Sequence, residues 1–184
     1  DIAEHFVIAG GFFSSYFRGE MYKDIDVFIL NNGVFGETTL FQNAIWNKQG
    51  RWSVKFHLDE DDEYSNDHIL ATAFNVESKV QYIQTDFKTR RELLDHFDYL
   101  HCTASFHNGK LYINREIYDS IMNKHLVLNN KKVSIKDWRK TKFHSLGWKT
   151  PEEVIHDSVT TSVSDLVNDI YTKHIAPSNP TYDS

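Results

Sequence analysis

The sequence has little that would staple it, break it or anchor it in a bilayer. A single cysteine, Cys102, excludes a disulfide within the chain. No stretch approaches the roughly 20 consecutive apolar residues of a membrane span, so no membrane partner is expected. Basic residues are outnumbered, 20 against 26 acidic, for a formal charge of -6. That balance disfavours non-specific nucleic-acid binding by the whole surface, so an RNA partner would have to be gripped locally. Proline is scarce, and two of the three fall in the final "APSNPTYDS", a stretch too polar to order itself and expected to be a flexible tail over 176–184. No signal-peptide pattern is seen. The chain starts at Asp1 without a methionine, which predicts a trimmed or processed N-terminus and leaves an intracellular, cytoplasmic location as the default.

Apolar and aromatic residues are plentiful, 40% and 14% of the 184 positions, enough for the core of one domain with a small appendage. "HFVIAGG" reads as a strand ending in a glycine turn, "FFSSYFRG" as a two-turn helix and "DIDVFIL" as a strand. "TLFQNAIWNK" has helical spacing, and "WSVKFHL", "HILATAFNV" and "KVQYIQTDF" are strand-like, the first two separated by the acidic turn "DEDDE". "TRRELLDHF" predicts a helix, and "DYLHCTASFHNGKLYI" predicts a hairpin about Asn108 and Gly109. "NREIYDSIMNKHLVL" and "SIKDWRKTKFHSLGW" are helical, and a last helix opens with Thr150 as N-cap, Pro151 at its first position and Glu153 as capping-box partner. Its stripe is Ile155, Val159, Val163, Leu166 and Ile170. The fold class is α/β in the α+β sense: a mixed sheet with flanking helices and a small helical C-terminal part.

The chemistry concentrates between Gly10 and Asp26. Strand side chains alternate faces, so Asp24 and Asp26 project together, and two carboxylates so close repel unless a cation joins them. Their hard oxygens suit Mg2+ or Mn2+, and such a pair supports phosphoryl or nucleotidyl transfer. The plain alternative is an exposed strand edge with two solvated aspartates. Gly10 and Gly11 shift the balance, because a glycine turn ahead of a helix aims free N–H groups and the positive dipole end at an anion. Ser14 and Ser15 would add hydroxyl contacts to phosphate.

The run Gly10-Gly11, seven residues, then "GEMYKDID" resembles the first motif of the polymerase-β-like nucleotidyltransferases, and in particular the head domain of bacterial tRNA CCA-adding enzymes and poly(A) polymerases, here in a short phage-type form. Gly10, Gly11, Gly19, Asp24 and Asp26 fall on the motif spacing, whereas Ser14 and Ser15 stand where those enzymes carry Arg-Asp. "DYLHCTASF" is similar to the family segment "DFTINAMAY", so the resemblance implies that Asp98 helps place the nucleotide sugar, with Phe97 replacing the family's arginine. "RKTKFHSLGW" looks like a shortened start of the family's neck, with Arg139 and Lys142 on its basic positions as nucleotide-binding groups. The implied organisation is a head domain over 1–130, a small helical neck-like region over 131–175 and the tail. The family's third carboxylate has Gln81 at the expected place, and Asp86 serves instead if the strand register differs.

Other features have ordinary readings. His96, His101 and His107 fit no structural zinc spacing, "DEDDE" lacks the alternation and central glycine of a calcium loop, and Cys102 reads as a buried small hydrophobe. "DWRKTKF" either stacks a base and holds a phosphate chain or is an amphipathic helix with its basic face in water. The expected function is metal-dependent transfer of a nucleoside monophosphate from an NTP to an acceptor hydroxyl on an RNA 3′ end or a small molecule. The competing reading, motivated by Gln81, is a catalytically impaired nucleotide-binding or interaction module.

Overall fold

Among the described residues seven short runs become strands: β1 (Phe6–Ala9), β2 (Ile25–Ile29), β3 (Trp52–Phe56), β4 (Ile69–Asn75), β5 (Val80–Thr85), β6 (Ser105–His107) and β7 (Lys110–Tyr112). The helices are α1 (Gly11–Arg18), α2 (Arg90–Asp95), α3 (Arg115–Met122) and α4 (Asp137–Ser145). This computed structural model describes residues 2–31, 51–56, 68–131 and 134–154. The helix predicted over 39–48, the acidic turn, the stripe from Ile155 onward and the tail lie outside the described residues.

The strands form one mixed sheet in the order β3-β4-β5-β2-β1-β6-β7, in which only β2 and β5 run parallel. β2 is the central strand, and its two faces carry two different cores. On one, Phe28 and Leu30 join Val7, Ala9, Ile83 and the α2 residues Leu93 and Leu94. On the other, Val27 and Ile29 meet Ala71, Ala73 and Tyr82. Helix α1 packs through Phe13 against Ile117 and Ile121 of α3, and Arg18 donates to the carbonyls of Ile121 and Met122 at the end of α3.

Local rules account for most boundaries. Thr89 caps α2 by accepting from Glu92 N–H, and Asn114 caps α3 by accepting from Ile117 N–H. Asn108 and Gly109 take φ of 48° and 72° between the paired His107 and Lys110, the left-handed geometry of a tight hairpin turn. The capping box at Thr150 forms as predicted: Thr150 N–H donates to Glu153, and Glu153 N–H donates to the Thr150 hydroxyl at 3.4 Å. One expectation fails. The stretch before β6 does not continue the hairpin, because Leu100–Cys102 winds into a 3-10 turn closed by Cys102 N–H to Tyr99 O and Thr103 N–H to Leu100 O. Cys102 is buried there rather than in a strand.

The residues Asp1–Trp148 form one compact unit, α4 included, and Lys149–Ser184 a second. Ile121 is fully buried where α1 and α3 meet. Ile121→Ala should therefore cost about 2–5 kcal/mol, the range for truncating a core aliphatic side chain, read from the midpoint and slope of urea unfolding.

Candidate functional site

At the end of β1 the chain turns through Gly10, whose φ of 88° and ψ of -151° lie where only glycine is at ease. Its N–H donates to Cys102 O at 3.0 Å, anchoring the turn to the 3-10 segment. A β-carbon on Gly10 would lie 2.8 Å from Oδ2 of Asp26, so the missing side chain is the room the carboxylate occupies. Gly11 opens α1 and is exposed, with nothing within 4 Å of where its β-carbon would stand. The unpaired N–H groups of the helix start therefore adjoin Asp26.

Register places the rest. Asp26 is paired with Ala9 across the antiparallel side of β2 and with Gln81 across the parallel side. Alternation sets it on the face of Phe28 and Leu30, so the site is the polar end of the face that α2 covers. Asp24 comes just before the strand and is half-buried. Burial pushes the Asp26 carboxyl up to about 7, and the charge of Asp24 raises it further, while Lys142 and Arg139 work against the rise. Asp24, Lys142 and Arg139 are thus the charges that act on this carboxylate.

Arg139 is held in place by Asp98. Its Nε and Nη2 both donate to the Asp98 carboxylate, the second at 3.1 Å, and Asp98 also accepts from Tyr99 N–H at 2.8 Å. The guanidinium stands 5.2 Å over the ring of Phe143. Lys142, one turn further along α4, is exposed. The "DWRKTKF" segment thus divides its labour: Phe143 is core, Arg139 is tied to Asp98, and Lys142 leaves its ammonium in water.

Two expectations need correction. Asp86 is not brought to the pair. With Gln81 opposite Asp26, Asp86 lies five residues further along β5, roughly 16 Å away at the rise of an extended chain. There it accepts from His68 Nδ1 at 2.9 and 3.1 Å. The neutral amide of Gln81 takes the place a third carboxylate would hold. Ser14 is also redirected: it is buried in the second turn of α1, where its hydroxyl donates to His101 O at 3.2 Å and fastens the helix to the 3-10 turn. Ser15 is half-buried.

Sequence reasoning gave no role to His101, which is fully buried with no hydrogen-bond partner on either ring nitrogen. It stacks on Trp148 at 3.9 Å and meets Phe143 edge-on at 4.7 Å. Burial, helped by the charge of Arg139, pushes it down to about 3, so it is a neutral aromatic filler. Nothing in its local pattern separates it from a strand histidine. His96 and His107 are elsewhere, bonded to Glu92 O and Glu4 O.

No group of three or more His, Cys, Asp and Glu side chains is gathered for a metal among the described residues. The carboxylates of Asp24 and Asp26 are hard oxygen donors, and the residue paired with Asp26 on β5 is the neutral Gln81. That chemistry fits Mg2+ or Mn2+ and not a thiophilic ion.

Residues 2–124 match the Gabija anti-defense 2 family. The chain belongs to that family. No curated protein matches it. Among solved structures it is similar to a Thermotoga maritima CCA-adding enzyme complexed with tRNA (15% identity, TM-score 0.47, covering 67% of this chain and 28% of that one). It is also similar to CCA-adding enzyme complexes with CTP (14%, 0.46, 67% and 28%) and with ATP (14%, 0.47, 67% and 29%). The chain spans less than a third of the length of those proteins. No described helix of this family member is long and apolar enough to cross a membrane.

Two measurements follow from Asp26. Because its folded pKa of about 7 exceeds the ordinary carboxylate value, the folded state holds this proton more tightly than the unfolded chain. Its contribution to stability is therefore present at low pH and is lost as pH rises toward 7. In EDTA, Asp26→Asn should be more stable than the parent at pH 8 and should lack this part of the decline, by urea midpoints at pH 5 and 8. Gly10→Ala meets both the left-handed φ and the carboxylate oxygen, and should cost about 1–3 kcal/mol, read from the midpoint of urea unfolding.

Proposed function

We propose that this family member is a metal-dependent nucleotidyltransferase that moves a nucleoside monophosphate from an NTP to an acceptor hydroxyl. The observation that carries this reading is the seat of Gly10 against Asp26, with Asp24 coupled to the same carboxylate. Asp24 and Asp26 would hold Mg2+ or Mn2+, which when bound supplies charge neutralisation to the triphosphate. With the Gly10 N–H spent on Cys102 O, it is the start of α1 from Gly11 onward that would present backbone N–H groups and a helix N-terminus to phosphate oxygens. Lys142 adds an exposed cation, and Asp98 fixes Arg139, whose charge also favours the ionised Asp26. The acceptor oxygen forms the new bond to the α-phosphorus, the α–β anhydride bond breaks, pyrophosphate leaves, and the hydroxyl proton goes to water.

A second reading has its own observation. Gln81, paired with Asp26, offers no third negative charge to draw a proton from the acceptor, which favours a module that binds the metal-nucleotide without turning it over. The acceptor in the first reading is an RNA 3′ end, a small molecule or a protein. The family's name makes a component of the Gabija defence an acceptor to test beside RNA.

The test is incorporation of α-labelled nucleotide, each of the four in turn with Mg2+ or Mn2+, into pooled RNA, the protein itself and Gabija components. The parent should transfer label, and the Asp24→Asn, Asp26→Asn protein should lose at least 100-fold. Metal-dependent nucleotide binding with no transfer to any acceptor would instead support the binding module.

A further inference from the structure

Half of the eight positions of α1 are aromatic: Phe12, Phe13, Tyr16 and Phe17. Phe13 is buried against α3, whereas Tyr16, one turn beyond Phe12, is 65% exposed. Tyr22, in the connection between α1 and β2, brings its ring edge-on to Phe12 at 5.0 Å and 75°, and Phe12 is stacked with Tyr16 at 6.1 Å and 27°. Phe17 meets Tyr16 at 5.7 Å, and Tyr118 of α3 meets Phe17 at 6.0 Å. The rings form one ridge, along which Tyr22 and Tyr118 each keep 42% of their surface in water. Packing at α1 is already supplied by Phe13 with Ile117 and Ile121, so aromatic surface left in water on this scale marks a binding face.

Its position says what binds. Phe12 directly follows Gly11 at the start of α1, and Tyr22 stands two residues before Asp24, so the ridge begins at the proposed nucleotide site. Arg18 is committed to Glu20 and to the carbonyls of Ile121 and Met122, and the exposed Lys23 lies between Tyr22 and Asp24 in the chain. A nucleic acid bound here is held mainly by its bases rather than its phosphates, which suits a chain with a formal charge of -6. Ring centres from Tyr22 through Phe12 to Tyr16 are 5.0 and 6.1 Å apart, so this part of the ridge reaches about 11 Å at most. That is room for two or three bases at the roughly 3.4 Å step of a stacked strand. A lone NTP, with one base, would leave most of it bare.

We infer that the ridge of Tyr22, Phe12 and Tyr16 is a stacking platform for unpaired bases at the end of a single-stranded RNA. The inference takes its ligand from the proposed nucleotidyl transfer and narrows the acceptor to an RNA end. A ring face accepts any base, so sequence preference is slight. Stacking releases no counterions, so the affinity changes little with salt.

The experiment is fluorescence anisotropy of 5′-labelled single-stranded RNA, from a mononucleotide to a hexanucleotide, with the full chain carrying Asp24→Asn and Asp26→Asn in EDTA. Neither metal nor catalysis then contributes, so the result stands apart from any transfer assay. Affinity should rise up to about three nucleotides and then level off. Tyr16→Ala and Tyr22→Ala should each weaken binding about 5–150-fold with circular dichroism unchanged. Tyr16→Phe should retain it, and Tyr16→Leu, which keeps apolar bulk without a ring, should not. An abasic strand of the same length should bind more weakly and be indifferent to Tyr16→Ala. Equal affinity for abasic and base-bearing strands, or RNA binding that survives loss of both tyrosines, would overturn the inference. Binding of a Gabija component that the tyrosine substitutions abolish while RNA binding persists would overturn it in favour of a protein-docking face. Transfer of label to a small molecule or a protein with no RNA bound would also overturn it, and would leave the proposed transfer standing.

Discussion

A carboxylate pressed against a backbone organises the first compact unit. Asp26 fills the space a side chain at Gly10 would need, and it does so from the central strand of the sheet. The positive φ of Gly10 lets β1 run into α1 without displacing that carboxylate, and Cys102 O receives the Gly10 N–H, so strand, helix and 3-10 turn are set by one residue's lack of a β-carbon. Ser14 repeats the tie from the next turn of α1 by donating to His101 O. The acid is thereby placed where helix N–H groups gather, an electrostatic arrangement that favours negative charge at α1 while burial disfavours it on Asp26 itself.

The Asp98–Arg139 pair serves the same end from the other side. It is bidentate and largely withdrawn from water, with Asp98 additionally held by Tyr99 N–H, so its geometry is far better defined than that of an exposed ion pair. Breaking it from one side would strand a charge beside the aromatic cluster of Tyr99, Phe143, Trp148 and His101. Packing and electrostatics therefore reinforce each other at α4. Phe143 enters the cluster because Arg139 fixes the helix, and Arg139 bears on Asp26 because Phe143 holds the helix down.

Much of this was legible in the sequence where the rule is local. The Asn108-Gly109 turn, the Thr150 capping box and the glycine turn before α1 depend on residues within four positions of one another. What depends on pairing across the sheet was not legible. Whether Gln81 or Asp86 faces Asp26 is decided by the parallel register of β2 and β5, which no property of "VQYIQTDF" specifies alone. The stretch Leu100–Cys102 was misread for a similar reason. Its alternating apolar residues suit a strand, but its backbone is bent by contacts with Gly10 and with the segment after α3, where Leu100 N–H finds Val127 O. His101 and Ser14 owe their burial to that bend.

The neutral amide opposite Asp26 has an electrostatic consequence for the metal-free state. Asp26 is already raised to about 7 by burial and by one neighbouring carboxylate, with two cations opposing. A third carboxylate in the place of Gln81 would add like charge from the adjacent strand, raise that value again and make the ionised site more costly to fold without a cation. Gln81 occupies that register position with a neutral side chain and so omits the charge. The site can then stay folded while empty at neutral pH, with Lys142 and Arg139 compensating the carboxylate that remains. In the proposed nucleotidyltransferase such a site would draw less strongly on divalent cations than a three-carboxylate one, and the triphosphate would supply part of the negative charge that the protein leaves out.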